Sequence, residues 1–383
     1  MKLREINNSS ELRKFVKFPM RLFKEASSYI PPLINEEVST LAAHHNVDFK
    51  DARARYWVVE SKGRIVGRIA GIIKPCDTDS SHMEARFGWF DFVNNLKVAS
   101  LLLSTVENWC LQENIYTLKG PLGFNSFDRS GILIEGYNEA STMFGNYNYP
   151  YYSRLLEAVG YKSKFHWVEY RIQVPKEIPK KFIKGAQTIR KRYGLKQVAI
   201  KNKNALRGYS EAIRMLINEA YQGISGFSEI SQEQFAQLYQ KFVQLIPRDY
   251  FSLIEDNTGE LVGFGLVMPD LSKALKKMNG RFFPFGYWQL HRALKKSDTV
   301  DLLLIAVKPS FQHRGVHALI FEQIIPAVIR RGVLYVESTK ELESNSDVRN
   351  LWGDFDHRQH KKSACFYRDL RSNSSIENLL SYK

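Results

Sequence analysis

Asp301-Leu-Leu-Leu-Ile-Ala-Val-Lys-Pro-Ser-Phe-Gln-His-Arg-Gly-Val-His-Ala-Leu-Ile320 joins a short apolar strand, a proline-marked turn, a tight loop with Gln312, Arg314 and Gly315, and an apolar helix starting near Val316. That order builds an anion site. The first turn of a helix leaves backbone N–H groups without partners, and the helix dipole adds partial positive charge at the same spot. Gly315 lets the backbone approach a ligand closely. A pyrophosphate fits such a mouth.

The loop Gln312-His313-Arg314-Gly315-Val316-His317 resembles the acyl-CoA pyrophosphate loop of the GNAT N-acyltransferase superfamily, with His317 where that family has a small residue. The resemblance implies that these six residues hold the cofactor, and that backbone groups of Ile305, Ala306 and Val307 face the acyl thioester. It further implies that Asn345, followed by Val348 and Leu351, opens the helix beside the pantetheine arm. The next position, often a thiolate-protonating Tyr in those enzymes, is Trp352, and an indole N–H is not a useful acid.

Outward from this stretch the chain repeats itself. Arg55-Tyr-Trp-Val-Val-Glu-Ser-Lys-Gly-Arg-Ile-Val-Gly-Arg-Ile-Ala-Gly71 and Asp249-Tyr-Phe-Ser-Leu-Ile-Glu-Asp-Asn-Thr-Gly-Glu-Leu-Val-Gly-Phe-Gly265 both read as strand, acidic turn and strand, with Gly63 and Gly67 matching Gly259 and Gly263. Each predicts a β-hairpin. The family places such a hairpin ahead of its cofactor strand, so the expected fold is α/β with mixed sheets, as two tandem GNAT-like domains. We set these at residues 1–175 and 176–370, with a polar tail at 371–383. The 383 residues, 44% hydrophobic and 13% aromatic, suffice for two cores.

The first domain pairs a strand, Phe87–Val93, with an amphipathic helix, Leu96–Cys110, but Asn94-Asn95 stands where the glycine-rich turn would be. It is expected to lack a CoA site. It carries instead Gly120-Pro-Leu-Gly-Phe-Asn-Ser-Phe-Asp-Arg-Ser-Gly-Ile-Leu-Ile-Glu-Gly136 and Tyr149-Pro-Tyr-Tyr-Ser-Arg-Leu-Leu-Glu-Ala-Val-Gly-Tyr161. These resemble a bacterial two-domain GNAT-like family that includes proteins similar to bacterial ceramide synthases, over about Phe15 to Leu370. Asn125, Ser126, Asp128, Glu135, Tyr151 and Tyr152 are the candidate substrate-binding residues; turn residues that satisfy backbone groups are the plainer reading of the first four.

Acyl transfer to an amine needs a base, a held thioester and oxyanion donors. Glu337 and Glu341 are the candidate bases, because a partly buried carboxylate can titrate near neutrality. Tyr367 leads the candidate acids, with His360, Tyr151 and Tyr152 behind it.

The formal net charge is +15, and ten Lys or Arg face one acid, Glu177, between Lys176 and Lys203, at the expected inter-domain joint. That surface could steer CoA phosphates, hold anionic lipid headgroups, bind nucleic acid, or be a solvated linker. Nothing in the chain reads RNA specifically, so nucleic acid is not expected as a partner. A segment at 270–297 mixes aromatic with basic residues, which suits contact with a membrane surface.

Cys76, Cys110 and Cys365 are few and far apart, which suits a reducing compartment and gives no metal-ligand spacing. No apolar run approaches a membrane span and the start lacks a signal-peptide core, so a cytoplasmic protein, at most peripheral to the inner membrane, is expected. The function read from these features is acyl-CoA-dependent N-acyl transfer to an amine, with a long-chain acyl group and a sphingoid-type or other amphiphilic amine as its narrower form, without a metal. The alternatives are a GNAT-like protein that only binds a ligand or partner, and an aminoacyl-tRNA-dependent peptidyl transferase.

Overall fold

The computed structural model describes residues 1–371 except 77–80, 225, 242, 244 and 245, and all side chains of that span but those of 347 and 348. The expected tail at 371–383 lies outside the described residues apart from Arg371. Two compact units form, residues 1–167 with 361 onward, and residues 168–360. The closing strand, placed by sequence with the second domain, belongs from residue 361 to unit 1. Long-range backbone pairing puts it there, and local pattern does not reveal such pairing.

Unit 1 contains β1 (Lys2–Glu5), α1 (Ser9–Leu22), α2 (Ile34–Leu41), β2 (Arg53–Ser61), β3 (Arg64–Pro75), β4 (Met83–Phe92), α3 (Leu96–Gln112), β5 (Thr117–Gly120), β6 (Ile132–Glu135) and α4 (Tyr151–Ala158). The chain leaves it within β7 (Lys162–Gln173). Unit 2 holds α5 (Lys180–Tyr193), β8 (Lys196–Gln197), α6 (Lys203–Gly208), α7 (Ser210–Tyr221), α8 (Gln232–Lys241), β9 (Phe251–Glu255), β10 (Leu261–Pro269), α9 (Ser272–Met278) and α10 (Gly286–Lys295). It continues with β11 (Thr299–Val307), α11 (His317–Arg330), β12 (Tyr335–Ser338), β13 (Glu341–Leu342) and α12 (Ser346–Asn350). The chain returns to unit 1 within β14 (His357–Asp369).

Strands run β1-β2-β3-β4-β5-β14 in unit 1, with β6 also on β14, and β7-β12-β11-β10-β9-β8 in unit 2, with β13 on β7. The architecture is mixed α/β, since β4–β5 and β11–β12 are parallel among antiparallel neighbours. Both expected hairpins form, as β2–β3 and β9–β10.

A glycine on the second strand of each hairpin has a packing reason. A Cβ at Gly67 would stand 2.7 Å from Val98 Cγ1 on α3, and one at Gly265 would stand 2.4 Å from Ile320 Cγ2 on α11. In each unit the helix that follows, α3 or α11, lies directly on the second hairpin strand. On α11 the residues Leu319, Ile320, Ile324 and Val328 are buried.

α1 runs through Pro19 to Leu22. Proline cannot donate to the carbonyl four residues back. That carbonyl, of Phe15, instead accepts from Arg68 Nη1 at 3.0 Å. A tertiary contact replaces the missing helix bond.

The basic stretch after Lys176 forms α5 and β8 inside unit 2. Phe182, Ala186 and Ile189 bury one stripe of α5 while its Lys and Arg residues point outward. Buried thiols at Cys110 and Cys365 are pushed up to about 12 by burial, so neither is a ready nucleophile. Among the described residues no helix is long and apolar enough to cross a membrane, and no group of three or more His, Cys, Asp or Glu is placed to hold a metal.

Gly265→Val should force α11 off β10 and cost about 1–3 kcal/mol through overpacking. Thermal denaturation of the variant checks this, and an unchanged melting profile would show that α11 does not depend on that contact.

Candidate active site at the splayed strand of unit 2

β11 pairs with β12 only from Thr299 to Leu302, against Tyr335 to Ser338. Across its other edge, Leu304 and Leu302 face the consecutive residues Leu266 and Val267, so Leu303 is an extra residue in β11. Such a bulge bends and twists its strand. From Leu303 to Val307 β11 stays on β10 but is no longer paired with β12. A stretch of backbone edge is thereby opened in the middle of the sheet, and Tyr221 Oη, at the end of α7, donates to the carbonyl of Ile305 there at 2.9 Å.

The loop leaves this strand through a 3-10 turn, Pro309–Phe311. Gln312 Nε2 donates to the carbonyl of Val307 at 3.1 Å. His313 and Gly315 both have positive φ, 57° and 79°, and alternating hands of this kind curl successive amides into an anion-binding nest. Among the described residues, the amides of Gly315, Val316 and His317 find no backbone carbonyl. Gln312, His313 and Arg314 are exposed, with the Arg314 guanidinium over the rings of Tyr193 and Phe311 at 5.3 and 5.5 Å. The His317 imidazole packs beside Phe321, one turn along α11, and burial lowers its pKa. The chemistry of this donor set fits a diphosphate.

Two acids stand at the far side of the splay. Glu341, on β13, accepts from Trp352 Nε1 at 3.1 Å to each carboxylate oxygen. Burial raises its pKa to about 7 against the lowering effect of the Trp352 and Ser338 hydrogen bonds. The Tyr221 phenol is pushed up to about 12, chiefly by burial and further by the charge of Glu341. Glu337 is a different kind of group. Its carboxylate accepts from Arg171 Nη1 at 3.0 Å and lies 2.9 Å from His360 Nε2. It faces Asp301, its register partner on β11. A cation and an imidazole thus lie against the Glu337 carboxylate.

Trp352 also connects this acid to an apolar cavity lined by Ile172, Val267, Leu302, Phe321 and Val336 among others. Its ring faces the cavity while its N–H holds Glu341. Asn345 precedes α12 and its amide donates to the carbonyl of Leu342 at 2.9 Å; the Val348 side chain lies outside the described residues.

The remaining expected site residues fall in unit 1. Tyr367 is on β14, opposite Lys119, with Lys164 Nζ 5.8 Å from its ring centre. Asn125 and Asp128 brace the turn: Asp128 accepts from the amide of Phe124 at 2.8 Å, and Asn125 bonds the Phe127 amide and Asp48. Burial, with the charge of Asp48, raises the Asp128 pKa to about 7. Ser126 and Glu135 are exposed. The Tyr151 hydroxyl donates to the carbonyl of Phe92, and the fully buried Tyr152 hydroxyl accepts from the amide of Phe92 at 3.2 Å. The N-terminus of α3 is closed by Asn95, whose side chain accepts from the amide of Val98. Sequence reasoning missed Tyr221, since one Tyr at the end of an amphipathic helix carries no signal. It also missed the partnership of Trp352 with Glu341, eleven residues away in sequence.

No family model matches the chain. By sequence it is similar to the protein YghO of Escherichia coli strain K12, 25% identical over 362 residues, covering 91% of this chain and 90% of that protein. It is also similar to the bacterial ceramide synthase of Caulobacter vibrioides, 24% identical over 322 residues, covering 81% and 82%. Among solved structures, a tandem GNAT protein from the clavulanic acid biosynthesis pathway superposes with a TM-score of 0.55 at 13% identity, over 96% of this chain and 98% of that one. A GCN5-related N-acetyltransferase from Sphaerobacter thermophilus gives 0.51 at 12% identity, over 96% and 95%. With the splayed strand of unit 2, a hairpin in each unit and these superpositions, the chain has a tandem GNAT fold.

Proposed function

We propose that unit 2 is an acyl-CoA-dependent N-acyltransferase whose base is Glu341. The observation that carries this reading is a carboxylate titrating near 7 next to a backbone edge opened by a bulge and followed by a diphosphate-compatible loop. Residues 313–317 hold the diphosphate with their amides, and the open edge at 305–307 supplies backbone groups for the pantetheine arm and the carbonyl. Acyl-CoA, when bound, supplies an activated acyl group. Glu341, ionised, takes a proton from the substrate ammonium; the freed amine then attacks the thioester carbonyl, the N–C bond forms, the C–S bond breaks and CoA leaves as its thiolate. Trp352 fixes the carboxylate's position, and Tyr221 holds a proton at the same edge. The apolar cavity beside Trp352 takes the apolar part of the acyl group.

Likeness to a ceramide synthase supports an amphiphilic, sphingoid-type amine as acceptor. The segment 270–297 supports access to such a lipid from a membrane surface. Phe283, Phe285, Tyr287 and Trp288 are 82, 75, 68 and 58% exposed. They stand among Lys273, Lys276, Lys277, Arg281, Arg292, Lys295 and Lys296, with no acid from Leu271 to Ser297. Aromatic rings at headgroup depth beside cations on phosphates bind anionic bilayers.

A base with a pKa near 7 must lose its proton to work, so kcat/KM should rise as pH passes upward through about 7. Glu341→Gln should remove that limb and lower the rate by about 10²–10⁴-fold; an undiminished rate with the limb intact would discard this base. Gly315→Val should abolish binding of acetyl-CoA and palmitoyl-CoA in calorimetric titration while circular dichroism is unchanged, because a β-branched residue at φ 79° is strained and crowds the amides. Unaltered affinity would move the diphosphate elsewhere, and binding without turnover on any amine would favour a binding-only protein. Flotation with phosphatidylglycerol vesicles should recover the protein, and Phe283→Ser with Trp288→Ser should leave it at the bottom of the gradient.

A further inference from the structure

Unit 1 repeats the geometry of the splay without the loop. Ile69 on β3 opposes two residues of β4, Trp89 and Phe90, and Trp89 sits at φ 43°, a strained conformation for a bulky side chain that persists only where its surroundings impose it. β4 pairs with β5 at Ala85 and Arg86, and the backbone contact ends just beyond, where the amide of Leu122 donates to the carbonyl of Phe87 at 2.8 Å. Beyond that point lies a cavity walled by Phe23, Trp89, Tyr147 and Tyr152, with a free volume of about 60 Å³, the room of a few water-sized groups.

The charged groups around it are unevenly committed. Arg68 is used up on Asp91, at 2.8 Å from Nε, and on the carbonyl of Phe15. Arg129 is not. Its guanidinium bonds only the carbonyls of Met143 and Ile30, and among the described residues no carboxylate pairs with it. The Tyr29 hydroxyl is buried with no hydrogen-bond partner among the described residues, and burial raises its pKa, so it stays a donor at neutral pH. Glu37 accepts from Trp89 Nε1 with one oxygen; its other oxygen has no hydrogen bond among the described residues. A buried hydroxyl left unsatisfied costs about 1–3 kcal/mol, so an acceptor that enters the cavity and bonds Tyr29 recovers that cost.

We propose that this cavity binds a small zwitterion, an ammonium beside a carboxylate or phosphate, the anion on Arg129 and Tyr29 and the ammonium on Glu37. Binding does not involve the loop at 312–317 and is measured without acyl-CoA, so its failure leaves the transferase reading untouched.

The test is calorimetric titration of the full chain with O-phosphoethanolamine and with L-serine, each compared with inorganic phosphate and ethylamine. At least one zwitterion should saturate the protein and bind more tightly than either singly charged probe; which one does so identifies the anionic group. Tyr29→Phe loses a hydroxyl that bonds nothing in the protein, so it should fold normally and weaken binding about tenfold. Arg129→Ala should abolish binding, and Glu37→Gln should weaken the zwitterion but not inorganic phosphate. Saturation by none of the four probes, or affinity unchanged in a folded Tyr29→Phe variant, would overturn the site. Equal affinity for inorganic phosphate would overturn the zwitterion.

Discussion

The parting of β11 from β12 after Leu302 is the constraint on which the site depends. A sheet interior normally has every backbone group paired, and unpaired groups away from water are costly. One extra residue, Leu303, bends β11 so that it keeps its antiparallel partner and gives up its parallel one. The open edge, the turn at Pro309 and the mouth of α11 follow from that bend. The helix must then sit close on β10, which the missing side chain at Gly265 allows.

Burial sets the chemistry beside this edge. Glu341 and Glu337 are both carboxylates within five residues, yet their surroundings separate them. Arg171 and His360 lie against Glu337, whereas at Glu341 burial outweighs the hydrogen bonds from Trp352 and Ser338 and the charge of Arg349. Desolvation that outweighs the neighbouring donors and charges moves a carboxylate's pKa upward. The indole at the position where the resembling enzymes often have a Tyr is therefore spent on holding the Glu341 carboxylate.

The two units show one device put to two uses. Each has a bulged strand, a parallel partner that departs early and a helix lying on a hairpin glycine. In unit 2 a glycine-bearing loop leaves helix amides exposed; in unit 1 Asn95 caps the helix with its own side chain, and charged and aromatic residues line the space beyond the splay instead.

The sequence alone determined the tandem fold, because hairpins, helix periodicity and the loop Gln312–His317 are local patterns enforced by local sterics and hydrogen bonding. The two glycine-spaced hairpins and the Asn94-Asn95 substitution could be read without coordinates for the same reason. Only the tertiary structure decided which acid titrates near neutrality, that Asn125 and Asp128 brace a turn, that α1 survives Pro19 through Arg68, and that β14 closes unit 1. Those outcomes depend on partners tens to hundreds of residues away, and desolvation and strand pairing are properties of what surrounds a residue rather than of its neighbours in the chain.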